Sequence, residues 1–339
     1  MRGKGINYDT GFFPGGRPSR DSFDPDVVRR EMRIIAADLH CTDVRVSGGD
    51  PERLAVAAGH AAQAGLRVWF SPFPTELTTT RMRPFLAECA ERAEQLRAGG
   101  ADVVFVAGCE LTLFAAGLLP GDDVYARIRS LTSPRRHGGP TREGLNRQLN
   151  TFLADVAGDV RQRFGGPLTY ASGTWEAVDW TPFDIVGVDA YRDLSNLIGF
   201  RRSLRRHLRH GKPVAVTEFG CCTYRGAGLR GGTGWTIVDH GTEPPSIRGR
   251  HTRSESEQVS YLHRLLKDFA AVGVDAAFWF TFASYQLPHR ADPARDLDLA
   301  AYGVVKVLDD RPGSTYPGLA WEPKEVFHAL AAAYRTGSP

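Results

Sequence analysis

Cysteine is scarce in this chain and poorly placed for cross-linking. The five cysteines, at 41, 89, 109, 221 and 222, are odd in number, two are adjacent, and none forms a CxxC pair. That arrangement excludes a disulfide framework and a zinc site of the usual spacing. A reducing, cytoplasmic setting is expected. HExxH is missing too, despite ten histidines. No metal site is therefore expected; no organic cofactor is expected either. No run of 18 apolar residues occurs, so no membrane span is expected. The N-terminal stretch MRGKGINYDTGFF lacks the apolar segment of a signal peptide. Charge of one sign is lacking as well: 42 basic against 39 acidic residues leave a formal charge of +3. That is too small to imply a polyanionic partner. The basic segment RRSLRRHLRHGK (201–212) has Leu204 and Leu208 at i, i+4 spacing and no interleaved aromatics. It reads as the solvated face of a helix and not as a nucleic-acid surface.

What is present is a long alternation of strand-like and helix-like runs across 339 residues, 42% of them hydrophobic. GKGINYD opens as a strand ending at Asp9. DPDVVRREMRIIAADL follows as a helix, with Asp24 as N-cap and Pro25 at the first helical position. Further strands are expected at 42–49, 67–74, 102–112, 167–175, 183–191, 213–217 and 275–282. Helical segments separate nearly all of them. The strands are continuously apolar, as parallel strands buried on both faces should be. Eight such units match a single (β/α)8 barrel domain over 1–339 better than an open doubly wound sheet. The rival sheet would want GxGxxG after its first strand, and NYDTGFFPGG does not supply it. Long loops are expected after strands four, seven and eight, at about 113–142, 221–253 and 283–318.

A (β/α)8 barrel carries its chemistry at the C-terminal ends of its strands. Those ends offer Asn7, Tyr8 and Asp9; Arg45; Cys109 and Glu110; Trp175 and Glu176; Asp189, Tyr191 and Arg192; Glu218; and Trp279, with Tyr285 nearby. A glutamate at the end of the apolar run in KPVAVTEFG is costly unless something uses it or pairs with it. Two carboxyl groups across a barrel mouth ringed by aromatics are the equipment of glycoside cleavage. One donates a proton while the other attacks or activates water.

At these residues the chain resembles clan A of the retaining (β/α)8 glycoside hydrolases. VTEFG (216–220) is similar to the clan's nucleophile strand, and AGCELT (107–112) stands where its acid/base strand should be. The resemblance implies Glu218 as nucleophile and Glu110 as general acid/base. It implies Arg45, in VRVSGG, and Tyr191 as supports of the nucleophile, and Trp279 as the aromatic floor of a sugar subsite. The implied partner is a saccharide or other small molecule. Cys109 is a departure, since the clan usually has asparagine there to contact the sugar 2-hydroxyl.

A thiol is a weak donor and acceptor. That substitution keeps open a second reading, in which the same glutamate pair performs dehydration or cyclisation in natural-product biosynthesis. A non-catalytic binding or defence barrel is a third reading. Plainer roles also stand beside the functional ones. Glu218 and Arg45 can be a structural pair, Glu110 a loop or cap carboxylate, and Trp175, Tyr191 and Trp279 core. Asp9, Asp189 and Glu176 can brace the barrel rim. Cys109 as a nucleophile would need a histidine that the sequence does not place near it.

Overall fold

The computed structural model describes residues 1–12, 18–132, 140–309 and 311–336. Residues 133–139 and 310, which belong to two of the expected long loops, lie outside these. Eight parallel strands close into a barrel: β1 (Gly3–Asp9), β2 (Asp43–Gly48), β3 (Arg67–Pro72), β4 (Val103–Cys109), β5 (Leu168–Ser172), β6 (Val186–Asp189), β7 (Val214–Phe219) and β8 (Ala276–Trp279). Neighbours around the ring follow chain order, with β8 closing on β1. The expected (β/α)8 barrel is therefore the observed fold.

The helices are α1 (Pro25–Ala37), α2 (Pro51–Gln63), α3 (Thr79–Ala98), α4 (Leu111–Phe114), α5 (Val124–Thr132), α6 (Arg142–Arg161), α7 (Phe200–His207), α8 (Glu255–Val272) and α9 (Glu325–Thr336). Among the described residues no helix is long and apolar enough to cross a membrane. The expected start of α1 is observed: the Asp24 side chain accepts the Asp26 N–H at 2.8 Å, and Pro25 takes the first helical position. This satisfies one donor that a helix start leaves free. Val28, Met32 and Ile35 recur at helical spacing on its buried face.

Two cores result. One fills the layer between barrel and helices, and the other fills the barrel interior with Trp69, Val104, Val106, Ala171, Ile185, Ala215, Ala276 and Phe278. Trp69 and Phe278 meet edge to face at 4.7 Å between ring centroids. Gly5 makes room for them, because a Cβ there would lie 2.3 Å from the Phe278 ring. Side chains alternate between the two cores along each strand.

Two strands break that alternation, and they are the two that carry the glutamates. On β4 the pairing with β5 runs Val106 to Thr169 and then Cys109 to Ala171, so β4 holds one extra residue. On β7 both neighbours record the same excess. Val188 pairs with Val216 and Asp189 with Glu218, while Ala277 pairs with Val216 and Trp279 with Phe219. Such bulges re-aim side chains next to functional sites. Gly108, at φ +119°, supplies the left-handed backbone that the β4 bulge needs.

The loops after β7 and β8 are knit into one wall. Arg253 donates to Asp298 at 2.7 Å and to Asp296 at 3.2 Å. Lys324, fully buried, lies 2.8 Å from Asp298 and donates to the Thr223 hydroxyl at 2.9 Å. The Tyr302 hydroxyl donates to the Gly231 carbonyl at 2.7 Å and accepts the Gly234 N–H at 3.1 Å. The expected loop after β4 is partly helical, since it contains α4 and α5.

Candidate active site

Glu218 stands at the end of β7, where the bulge turns it inward beside Thr217. Its side chain is 15% exposed. Arg45 Nη1, from β2, donates to Glu218 Oε1 at 2.9 Å, and the Tyr191 hydroxyl, beyond β6, donates to Oε2 at 2.9 Å. Arg45 is itself fixed on several sides. Its Nε donates to the Ser71 hydroxyl at 3.1 Å, and Nη1 lies 3.3 Å from both Asn7 Oδ1 and the Thr217 carbonyl. Asn7 Nδ2 in turn donates to the Thr217 carbonyl at 3.0 Å. A cation and a phenol hydroxyl on separate oxygens fix the orientation of the carboxylate.

Glu110 follows β4 and adopts φ 43°, ψ 45°, a left-handed conformation uncommon for a non-glycine residue. Its backbone is held on both sides: its N–H reaches the Ala171 carbonyl at 2.9 Å, and its own carbonyl accepts from Leu113 and Phe114. Burial, then the charges of Asp189 and Glu218, push its carboxyl well above the usual carboxylate range. Glu176 is the anchor behind it. It accepts the Thr112 hydroxyl at 2.7 Å, the Thr112 N–H at 3.1 Å, the Tyr170 hydroxyl at 2.9 Å and the Gly173 N–H at 3.1 Å. Trp175 donates through Nε1 to the Thr112 hydroxyl at 2.9 Å, so it clamps the same turn.

Cys109 and Asp189 complete the mouth. Cys109 Sγ is 3.5 Å from Asp189 Oδ2 and 3.7 Å from Glu218 Oε1. The Thr217 hydroxyl donates to Asp189 Oδ1 at 2.7 Å. Burial, then the Glu218 charge, push the Asp189 carboxyl well above its ordinary range. Burial likewise raises the Cys109 thiol. One ligand atom from each of Cys109, Asp189 and Glu218 lies within 4.8 Å of the others. The guanidinium of Arg45 stands in this group, 2.9 Å from Glu218 and 4.0 Å from Asp189, and supplies its positive charge. The cluster is an ion-pair network centred on that guanidinium.

The structure thus brings together Arg45, Cys109, Glu110, Asp189, Tyr191 and Glu218, with Asn7 against Arg45, and sets Trp279, Tyr8 and Asp9 apart from them. Trp279 is fully buried in the layer outside the barrel. It donates to the Tyr302 carbonyl at 3.0 Å and packs edge-on against Phe219. Strand parity puts it there, so it is not an aromatic floor of the mouth. Phe280, the next residue of that parity after Phe278, is half-buried and faces Tyr302, whose ring also meets Tyr191. Tyr8 also points outward. It donates to Glu31 and accepts from Arg20 Nη1 at 2.8 Å beneath α1, which removes it from the mouth. Asp9 caps a turn, its Oδ1 accepting the Gly11 N–H at 2.7 Å.

Several residues of the site carry little signal in the sequence. Asn7 and Asp189 lie at strand ends that the sequence singles out, without a motif that assigns them to the catalytic group. Ser71 and Thr217 are ordinary strand residues whose inward parity is their only signal. Phe12, Phe73 and Phe114 form an edge-to-face row beside Cys109, with centroids 5.0 and 4.6 Å apart. They come from three loops, and no sequence spacing connects them.

No protein-family model matches this chain, and no curated protein matches it. Its fold does have solved counterparts. A GH113 β-1,4-mannanase is similar with a TM-score of 0.62 and 14% identity, over 99% of this chain and 100% of the other. A GH113 β-mannanase from Alicyclobacillus acidocaldarius is similar at 0.61 and 17%, over 99% and 97%. A GH5-4 broad-specificity endoglucanase from Clostridium longisporum gives 0.56 and 11%, over 94% and 87%. At these identities the likeness establishes architecture: the chain has the (β/α)8 barrel fold found in glycoside hydrolases.

Proposed function

We propose that this protein is a retaining glycoside hydrolase acting on a glycoside or sugar-like small molecule. The observation that carries the reading is Glu218, held through separate oxygens by Arg45 and Tyr191 at 2.9 Å each. Glu218 attacks the anomeric carbon as the bond to the leaving oxygen breaks. Glu110, kept protonated by burial and its acidic neighbours, gives its proton to that oxygen. It then takes a proton from the water that releases the sugar from Glu218. Phe12, Phe73 and Phe114 on one side and Phe280 on another offer apolar surface to the substrate.

One observation favours elimination on the same pair. The Cys109 sulfur is buried against Asp189 and Glu218 and is not free to meet a sugar 2-hydroxyl. Dehydration needs no such contact. One carboxyl group would remove a carbon-bound proton while the other protonates the departing hydroxyl.

The test is covalent labelling with 2-deoxy-2-fluoro glycosyl fluorides of the manno, gluco and glucurono series. The expected result is one sugar mass on the peptide containing Glu218, with none on Glu218→Gln and almost no turnover by that variant. Retained activity in Glu218→Gln overturns the assignment. A dehydrated product, formed without labelling, selects elimination.

A further inference from the structure

Among the described residues the mouth holds more carboxyl groups than positive charge to balance them. Glu110, Asp189 and Glu218 share one buried guanidinium, Arg45. Glu218 takes the strong donors, Arg45 and Tyr191. Asp189, only 2% exposed, receives the Thr217 hydroxyl on Oδ1 and stands 4.0 Å from Arg45. Its Oδ2 faces the Cys109 sulfur at 3.5 Å, and that sulfur is also 3.7 Å from Glu218 Oε1. A thiol carries one hydrogen, so it serves only one of the two oxygens at a time. Two ionised carboxylates beside a single buried cation would leave one charge uncompensated, which is strongly unfavourable.

We propose that Asp189 is a proton-bearing positioning residue for Glu218: its acid hydrogen rests on Cys109 Sγ and thereby turns the thiol hydrogen onto Glu218 Oε1. Burial and the Glu218 charge both favour the neutral acid. Glu218 gains a third donor from this chain of contacts. If Asp189 ionises, Oδ2 draws the thiol hydrogen back, and Glu218 loses a donor and acquires a repelling neighbour. The reverse coupling also holds. If Glu218 loses its charge, Arg45 needs a new counter-ion, and Asp189 is the carboxyl already 4.0 Å away. The groups facing Asp189 are Cys109 from β4, Thr217 and Glu218 from β7, and Arg45 from β2, with Tyr191 and Glu110 further out. The catalytic consequence rests on the glycosidase reading above, but the proton assignment does not.

Infrared difference spectroscopy of the ligand-free protein at neutral pH tests the assignment without any substrate. The wild type is expected to show the carbonyl band of a carboxylic acid that Asp189→Asn lacks, and 13C-labelled aspartate should shift it. Glu218→Gln should abolish the same band, because Asp189 ionises to balance Arg45. The S–H band of Cys109, isolated by subtracting Cys109→Ala, should keep its frequency in Asp189→Asn, since its acceptor is Glu218. An acid band that shifts with 13C-aspartate and survives Glu218→Gln, or an S–H band that shifts in Asp189→Asn, overturns the proposal. Should Asp189→Asn not fold, Glu218→Gln and the isotope shift decide it. Expected bands together with failed labelling of Glu218 would remove the glycosidase reading and leave the assignment standing.

Discussion

Replacing Arg45 with methionine isolates what its charge contributes. Methionine approximates the stem of the side chain, so the main loss is the cation. That loss leaves Glu218 beside Asp189 without a counter-ion, with Asn7 Oδ1 and the Thr217 carbonyl also short of a donor. Breaking a buried ion pair from one side costs about 3–5 kcal/mol. Unfolding entropy near ~2.1 cal/mol/K per residue gives ~0.7 kcal/mol/K for 339 residues, so the melting temperature should fall by ~4–7 °C. The pH dependence is the sharper part. In the variant the Glu218 carboxylate has no cation, so the fold penalises its charged form and not its neutral one. Stability present while the carboxyl is neutral is lost as pH rises and it ionises. The gap between wild type and variant should therefore be small near pH ~4 and widen toward neutrality, and Glu218→Gln in the variant background should narrow it at neutral pH. Calorimetric melts across that range are the assay. A gap that stays constant with pH would refute the electrostatic account and leave only lost packing.

The remaining expectations concern roles that the structure separates. Trp279→Ala should cost about 3–5 kcal/mol of stability with KM nearly unchanged, whereas Phe280→Ala should raise KM with a smaller thermal effect; melts paired with steady-state kinetics distinguish them. For Glu110, kcat/KM should fall as pH rises through a carboxyl pKa raised above the ordinary range by burial and acidic neighbours. Glu110→Gln should remove that alkaline limb and lower turnover by ~10²–10⁴, less for substrates with good leaving groups.

The strand–helix alternation was legible because each strand is a short apolar run between helix-start signals such as Asp24-Pro25 and Asp50-Pro51. Glu218 and Glu110 were legible because a carboxylate at the end of an apolar strand stands out chemically. What could not be read was the face each neighbour presents. In FWF and INY, aromatic and polar residues are consecutive, and only the register shows that Phe278 and Asn7 point inward while Trp279 and Tyr8 point outward. The bulges at β4 and β7 were equally invisible, since an extra residue in a continuous apolar strand leaves no pattern of its own. The Phe12–Phe73–Phe114 row depends on three loops meeting in space, which no local signal encodes.

The knitting of the loops after β7 and β8 has a thermodynamic consequence for whatever enters the mouth. Lys324, Asp298, Arg253 and Tyr302 fix that wall in the unliganded protein. A ligand pressing against it has little backbone or side-chain freedom left to quench there. Affinity gained on that side therefore comes almost undiminished from contact, and a ligand whose shape does not match finds no loop willing to adjust. Selection on this flank is by exclusion, as with a fixed template and unlike a closing hand.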